Sequence, residues 1–278
     1  MTATSFENIR LSWTPVDGSE QHVVATLTLN RPTQANAFNA AMLDEIATAL
    51  EDVRTNELAR LLVLQAEGKH FSAGADLSWM QASAKLSFAE NQNDAMRLVR
   101  MFDALASLAV PTIAIVRGSA FGGAVGLAAC CDTVIALEGA KFCLSEARLG
   151  ILPGVIMPYL GRRMNAGALK RLMLTAKVFD HAEATRAGLA DLNCSENELT
   201  KVLHDEVSLY LQCGPTAQNE IKKLFRHLQA EGFTQDPKCV DAIARLRTGA
   251  EGQEGLAAFF QKQDPSWRSK INADWKLS

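Results

Sequence analysis

The chain has 278 residues, of which 48% are apolar and 21% are charged. These proportions are ordinary for a folded globular protein, and they exclude a chain that is largely disordered. The length allows one large domain, or one domain with an appendage. The net charge is −3 and the basic residues form no run, which argues against nucleic acid or an acidic membrane surface as the main partner.

The N-terminus, the hydropathy pattern and the cysteines all favour a cytoplasmic location. The opening MTATSFENIR lacks the basic region and apolar stretch of a secretory signal, and it is not arginine-rich like a transit peptide. No stretch approaches the roughly 18 apolar residues of a membrane span. The six cysteines show no C-x-x-C spacing, so we expect reduced, mostly buried thiols and no metal site.

The first two thirds of the chain alternate between strand and helix patterns. Apolar and β-branched runs predict strands at residues 23–29, 61–64, 112–116, 133–137 and 141–144. Apolar residues at helical spacing predict helices over residues 40–53 and 78–108. This alternation predicts an α/β fold with a buried, largely parallel sheet.

The pattern changes near residue 196, after which no strand is predicted. Helical spacing recurs over residues 198–212, 216–231, 238–248 and 254–262. We therefore place a boundary near residue 200, with an α/β core over 1–200 and a helical C-terminal module over 201–278.

Two glycine-containing turns, at residues 71–76 and 118–123, each follow a predicted strand and precede a helix. Unpaired backbone N–H groups at such a helix start carry the positive end of the helix dipole. Two of these groups converging on one oxygen would stabilise a developing oxyanion. The alternative is that both turns are merely tight connections. Neither turn reads G-x-G-x-x-G, and Ser119 does not lie in G-x-S-x-G, so neither a dinucleotide site nor a nucleophile elbow is indicated.

Four motifs occur in an order and spacing that resemble the crotonase (enoyl-CoA hydratase/isomerase) superfamily. They are NRP at 30–32, FSAGADL at 71–77, GSAFGGAVGLAACCD at 118–132 and SEARLGILPG at 145–154. The resemblance covers nearly the whole chain, including FFQKQDPSW at 259–267. It implies a spiral of β-β-α units with a helical C-terminal module, an acyl-CoA substrate with no further cofactor, and a homotrimer or a hexamer built as a dimer of trimers.

The resemblance also assigns roles to individual residues. It implies that the backbone N–H groups of Ala75 and Gly123 hold the thioester oxygen of an acyl-CoA. It places the backbone of Ala73 against the adenine of the CoA, with Gly74 and Gly122 as neighbours in the same two turns.

Proton transfer is the point at which the chain departs from the family pattern. Hydratases of this kind generally use two glutamates, the first three residues after the oxyanion-hole glycine and the second twenty residues further on. Those positions are Gly126 and Glu146 here. An apolar pocket would raise the pKa of Glu146 and suit it to acid/base chemistry. The alternatives for Glu146 are an exposed loop acid or a partner for Arg148.

Further residues near these motifs have two interpretations each. Asp76 could cap the helix that starts near Leu77, while Trp79 and Met80 could line the acyl pocket or pack in the core. We expect Asp76, Trp79 and Gly126 to be among the substrate-binding residues.

Several polar residues have weaker claims on a role. Arg31, Lys69 and Lys262 could meet CoA phosphates or be isolated surface cations. His70 is expected to face solvent or the CoA entrance, and Asp132 to order the turn after the buried helix.

Hydration of an α,β-unsaturated acyl-CoA by one glutamate is the function that the resemblance favours. The sequence of four segments resembles that of bacterial family members associated with methylglutaconyl-CoA hydration or with acyclic terpene breakdown. The segments are residues 75–80, 122–127, 145–150 and 157–159. The alternatives are a Δ3,Δ2-enoyl-CoA isomerase, which also keeps the second glutamate alone, and a non-catalytic acyl-CoA-binding or RNA-binding relative.

Overall fold

A computed structural model describes residues 6–16, 22–272 and 275–276. Its strands are β1 (Ile9–Pro15), β2 (Val23–Leu29), β3 (Ala59–Ala66), β4 (Thr112–Val116), β5 (Ser119–Phe121), β6 (Thr133–Leu137), β7 (Lys141–Cys143), β8 (Phe179–Asp180) and β9 (Leu192–Cys194). Its helices are α1 (Ala40–Thr55), α2 (Leu77–Ser83), α3 (Phe88–Ala106), α4 (Gly123–Ala129), α5 (Met157–Arg163), α6 (Ala166–Thr175), α7 (His181–Arg186), α8 (Leu199–Leu211), α9 (Pro215–Ala230), α10 (Pro237–Thr248) and α11 (Ala250–Gln261).

The strands form one large and one small sheet. The large sheet has the order β1-β2-β3-β4-β6-β9 and is parallel except for β1, which pairs antiparallel with β2. The small sheet has the order β5-β7-β8. The largely parallel sheet predicted from the strand–helix alternation is confirmed. β2, β4 and β6 are buried along their whole length, which is why each consists of aliphatic residues and threonine, with no charged residue.

The helix predicted over residues 78–108 is two helices. Ser87 begins α3 with a capping box, in which its side chain accepts from the N–H of Glu90 and the Glu90 side chain accepts from the N–H of Ser87. Residues 84–87 therefore interrupt the periodicity. We did not predict β1, β5, β8 and β9 or the helices α5, α6 and α7.

The two faces of the large sheet bury different sets of helices. One face carries α1, the C-terminal half of α3, and α4. The other face carries α8, whose Leu203, Val207 and Leu211 pack with strand residues such as Ile113 and Ile135. α8, most of which lies after residue 200, therefore shares the sheet's core, and Ile271 and Trp275 pack in the same cluster. The division at residue 200 stays a prediction. Within the described ranges, no helix has both the length and the apolar character needed to span a membrane.

Candidate active site

Two loops lie side by side at the carboxyl edge of the large sheet. β3 and β4 are parallel neighbours, so the segments that follow them emerge at the same edge. We call residues 71–76 the first loop and residues 117–123 the second loop. In open α/β sheets, ligands bind in the crevice outside the carboxyl ends of the strands. The position of the two loops therefore suits a binding site.

Backbone hydrogen bonds hold the two loops together. The N–H of Ser72 donates to the C=O of Ser119 at 3.0 Å, and the N–H of Phe121 donates to the C=O of Ser72 at 3.1 Å. A Cβ built on Gly74 would lie 2.7 Å from the carbonyl oxygen of Phe121. A larger residue at this position would push the loops apart, because protein interiors have no spare room at such distances.

The first loop presents a free backbone donor at Ala75. The N–H of Phe38 donates to the C=O of Gly74 (2.7 Å), and the N–H of Asp76 donates to the C=O of Phe38 (2.8 Å). This parallel pairing turns the N–H of Ala75 to the opposite side of the loop. Ala75 is exposed, and its N–H donates to no residue that the structure describes. A ligand can therefore accept from it.

The second loop presents a free donor at Gly123. Gly122 has φ +53° and ψ −122°, a conformation that favours glycine, and its N–H donates to the C=O of Cys143 at 2.8 Å. Gly123 then begins α4, where the first N–H groups have no acceptor within the helix. Across the described ranges its N–H finds no other acceptor. Two such donors from touching loops can stabilise an oxyanion if they meet at one oxygen.

Glu146 brings a carboxylate to the start of α4. It follows β7 and begins a short 3-10 helix, Glu146–Leu149. Its Oε1 lies 3.2 Å from the place where a Cβ on Gly122 would be. Its Oε2 is buried and has no hydrogen-bond partner among the described residues. Burial raises the pKa of this carboxyl above its usual value, while a bond to its own backbone N–H acts in the opposite direction.

These observations bear on both alternatives for Glu146. The residue is half-buried, and no ion pair joins it to Arg148 in the part of the chain that the structure describes. A half-buried carboxyl with a raised pKa and an unpaired oxygen is suited to carrying a proton to or from a bound molecule.

Gly126 lies one turn after Gly123 and is completely enclosed. A Cβ at this position would lie 2.6 Å from the Cβ of Ile156, closer still to its Cγ2, and 3.5 Å from Cε1 of Phe102. Ile156 therefore fills the space into which a side chain at residue 126 would point.

Comparisons with known proteins agree with this geometry. The family model described as enoyl-CoA hydratase/isomerase matches residues 19–270. The chain belongs to the enoyl-CoA hydratase/isomerase family. It is 32% identical to a putative enoyl-CoA hydratase of Thermus thermophilus, covering 88% of this chain and 98% of that protein. It is also 32% identical to a crotonyl-CoA hydratase of Syntrophomonas wolfei, covering 96% of this chain and all of that protein.

A solved structure extends the similarity to the fold. The crystal structure of an enoyl-CoA hydratase from Shewanella pealeana superposes with a TM-score of 0.88 at 38% identity, covering 95% of this chain and 97% of that one. The crotonase-type fold and the interpretation of the chain as an enzyme of the crotonase superfamily are thereby confirmed. The roles of individual residues stay predictions.

Asp76 is engaged with the protein itself. Its Oδ1 accepts from the N–H (3.0 Å) and hydroxyl (2.5 Å) of Ser78 at the start of α2, and its Oδ2 accepts from Arg31 Nη2 at 3.1 Å. Arg31 also donates through Nη1 to the C=O of Ala37. The helix cap predicted for Asp76 is confirmed. Arg31 links the turn after β2 to the first loop, and its contact with a CoA phosphate stays a prediction.

The other residues expected in this family site have mixed surroundings. Ala73 is exposed, and its N–H donates to the C=O of Ala35 at 2.9 Å. Trp79 is half-buried, packs against the main core and donates through Nε1 to Asp94 at 3.3 Å. Lys69 and Lys262 are exposed.

Two further polar residues, His70 and Asp132, form hydrogen bonds within the protein. His70 accepts the N–H of Ser119 through Nδ1 at 3.2 Å, so it braces the two loops. Asp132 accepts from the N–H and hydroxyl of Thr112, at 2.8 and 2.9 Å, and from Lys222. The prediction that Asp132 orders the turn after the buried helix is confirmed.

Asn36 is a supporting residue that the sequence reasoning missed. It is fully buried, with Oδ1 accepting from the N–H of Arg31 (2.7 Å) and Nδ2 donating to the C=O groups of Glu67 (2.9 Å) and His70 (2.8 Å). It has φ +52°, a conformation that asparagine tolerates better than most residues. The turn-forming NRP motif just before it was the available signal.

Proposed function

We propose that the chain hydrates a 2-enoyl-CoA thioester, with Ala75 and Gly123 donating to the thioester oxygen and Glu146 moving the proton. Polarising the carbonyl makes C3 electrophilic. Glu146 then removes a proton from a water molecule while the oxygen of that water bonds to C3. Negative charge develops on the thioester oxygen, where the two N–H groups stabilise it. Glu146 returns the proton to C2. The observation that carries the proposal is the carboxylate of Glu146, whose Oε1 lies beside the start of α4 and whose Oε2 is buried without a hydrogen-bond partner among the described residues.

Glu146→Gln tests the mechanism. We expect turnover of a 2-enoyl-CoA to fall by about 10²-fold or more, because the amide of glutamine cannot accept and return a proton as the carboxylate does. Binding of the CoA thioester should not change, because the amide has the same shape as the carboxyl group. The loss of the conjugated thioester's ultraviolet absorbance measures turnover. Glu57→Gln is the matched control, since Glu57 is exposed at the amino end of β3. An unimpaired Glu146→Gln enzyme would contradict the mechanism. A wild-type chain that binds but never converts thioesters would favour the non-catalytic alternative.

The pH profile tests the same residue without substitution. Taking a proton from water needs the ionised carboxylate, so kcat/KM should rise with pH. Because burial raises the pKa of Glu146 above 4.5, the midpoint of this rise should lie above 4.5. If kcat/KM does not change with pH through the acid range, Glu146 is not the group that transfers the proton in the rate-limiting step.

A Δ3,Δ2-enoyl-CoA isomerase is the second candidate, because α4 carries no acidic side chain. In that reaction Glu146 removes a proton from C2 of a 3-enoyl-CoA and delivers it to C4, while the double bond moves to C2–C3. No water is consumed. The two reactions change the same absorbance in opposite directions: hydration of a 2-enoyl-CoA lowers it, and isomerisation of a 3-enoyl-CoA raises it.

We propose a methylglutaconyl-type substrate within the hydratase function, on the strength of the motif resemblance. Such a substrate carries a free carboxylate in addition to its thioester, and this carboxylate needs a cation in the pocket. Arg148 lies two residues after Glu146, is exposed, and forms no ion pair with the described residues. We expect Arg148→Met to raise KM for 3-methylglutaconyl-CoA about tenfold, which corresponds to the loss of one hydrogen bond to a charged group. The KM for crotonyl-CoA should not change. Equal effects on the KM of both substrates would contradict the proposal that Arg148 binds the substrate carboxylate.

We propose a trimer or a dimer of trimers as the assembly. The helices after α8 expose large apolar side chains that a second copy would cover, at Ile221, Phe225, Val240, Ile243, Phe259 and Phe260. Phe259 and Phe260 are each 76% exposed. Sedimentation measurements should give three or six chains per particle, and Phe259→Ser/Phe260→Ser should shift the protein towards smaller species. A wild-type monomer would refute the assembly.

A further inference from the structure

Packing against Ile156, and not backbone conformation, restricts residue 126 to glycine. It lies inside α4 with ordinary helical geometry, and its φ is not among the positive values that favour glycine. The conflict comes from space: a Cβ would lie 2.6 Å from Ile156 Cβ, a separation that real Cβ atoms do not show. Side-chain rotation at Ile156 cannot relieve this conflict, because Cβ is fixed by the backbone.

The backbone of Ile156 is itself held in place. Its C=O accepts from the N–H groups of Tyr159 and Leu160, both at 3.1 Å, at the start of α5. The hydroxyl of Tyr159 donates to Asp103 at 2.6 Å, which ties α5 to α3. Ile156 is 3% exposed and belongs to the main core. The wall beside Gly126 is therefore rigid and apolar.

We propose that Ile156 determines the reaction chemistry of this site, by excluding a second carboxylate from α4 and leaving Glu146 without an acidic neighbour there. This inference rests on the proposed role of Glu146. Two carboxylates that share a site perturb each other's pKa and titrate as a pair. With Ile156 in place, Glu146 titrates as a single group, and the same carboxyl must take up and return each proton.

The pair Gly126 and Ile156 thereby sets the balance between hydration and isomerisation. A second carboxylate on α4 would hold the attacking water and favour the addition of its oxygen to C3 and its proton to C2. A single carboxylate serves equally for moving a proton between C2 and C4. Restoring an acid at residue 126 should therefore raise the ratio of hydration to isomerisation, provided that Ile156 no longer occupies the space.

Thermal unfolding of alanine and glycine variants tests the packing without reference to activity. We expect Gly126→Ala to lower Tm in the wild type and in Ile156→Ala, which keeps the obstructing Cβ. Gly126→Ala should not lower Tm in Ile156→Gly, because that background has no Cβ at residue 156. Gly161→Ala is the matched control, because Gly161 lies in α5 with nothing within 4 Å of a built Cβ. Equal losses from Gly126→Ala in all three backgrounds would overturn the packing argument.

Transfer of the acid tests the chemistry. In a Glu146→Gln background, we expect Gly126→Glu with Ile156→Gly to recover at least about tenfold in turnover, within the range of one acid/base group. Gly126→Glu with Ile156 retained should recover none. With Glu146 present, the double variant should show two ionisations in its pH profile and a higher hydration-to-isomerisation ratio.

Three results separate this inference from the proposed function. Equal recovery with Ile156 retained, or a folded Ile156→Gly combination with no recovery and no change in the reaction ratio, would overturn the role of Ile156. A wild-type enzyme that only isomerises would overturn the hydratase function, while the Tm comparison would still decide the packing.

Discussion

The two loops that present the free N–H groups are held in different ways. The first loop adds side-chain supports to its backbone pairing with Phe38: Asn36 holds the segment that leads into the loop, and the pair of Arg31 and Asp76 ties the loop to the turn after β2. The second loop depends on backbone: Gly122 donates to Cys143 and turns directly into α4. The donor at Ala75 is thus oriented by main-chain pairing that side chains reinforce, whereas the donor at Gly123 depends mainly on the main-chain conformation of Gly122.

This difference predicts how each donor can be disturbed. The second loop should be sensitive to the addition of a single methyl group, since nothing there can rearrange without moving α4. The first loop should lose stability in steps as its supporting side chains are removed, and one of these supports is ionic and therefore depends on pH.

Gly122→Ala should have the largest effect, on turnover. A Cβ at φ +53° strains the backbone and lies 3.2 Å from Glu146 Oε1, so both the Gly123 donor and the carboxylate are displaced. We expect kcat to fall by about 10²- to 10³-fold, as for the loss of one oxyanion donor. Gly139→Ala is the control, since it has φ +81° but nothing within 4 Å. It should lower stability by about 1–2 kcal/mol and leave kcat unchanged. Equal kcat values for the two variants would refute a special role for Gly122.

Asn36→Ala should have the next largest effect, on stability. It removes three hydrogen bonds from a fully buried position and leaves backbone groups of Arg31, Glu67 and His70 without partners. We expect a loss of about 2–3 kcal/mol in the free energy of unfolding, measured in urea. Asn39→Ala removes a single helix cap from α1 and should cost about 1 kcal/mol. If the two variants are equally stable, Asn36 does not brace the first loop.

The sequence predicted the central strands and both loops because each is specified locally. β2, β4 and β6 are runs of aliphatic residues and threonine, and the loops are marked by glycines after strands. β1 was missed although Ile9, Leu11 and Trp13 alternate with polar residues along it, and β8 was missed because it has two residues. The alternation in β1 is a signal of a half-exposed strand, whereas a two-residue segment carries too little periodicity to identify.

The missing parts of the site were those that depend on tertiary contacts. Gly126 could be recognised as a missing glutamate, but its partner Ile156 lies thirty residues away, and no local pattern joins them. Asn36 likewise bonds to Glu67 and His70, more than thirty residues further along the chain. Local signals located the chemistry, and packing decided how it is held.

Arg31→Met should have the smallest effect, and one that depends on pH. Hydrogen bonds from Ser78 are the main cause that lowers the pKa of Asp76, and Arg31 adds to them. A lowered pKa in the folded state contributes stability above 3.8, which is lost as pH falls through the folded value. Since both side chains of the pair are about one-seventh exposed, we expect Arg31→Met to lose about 1 kcal/mol near neutral pH. The difference from wild type in urea should shrink below pH 3.8. Ser78→Ala should raise the pKa of Asp76 further than Arg31→Met does. A difference between wild type and Arg31→Met that stays constant through acid pH would mean that Arg31 supports the first loop through its bond to Ala37 and its packing, with no contribution from charge.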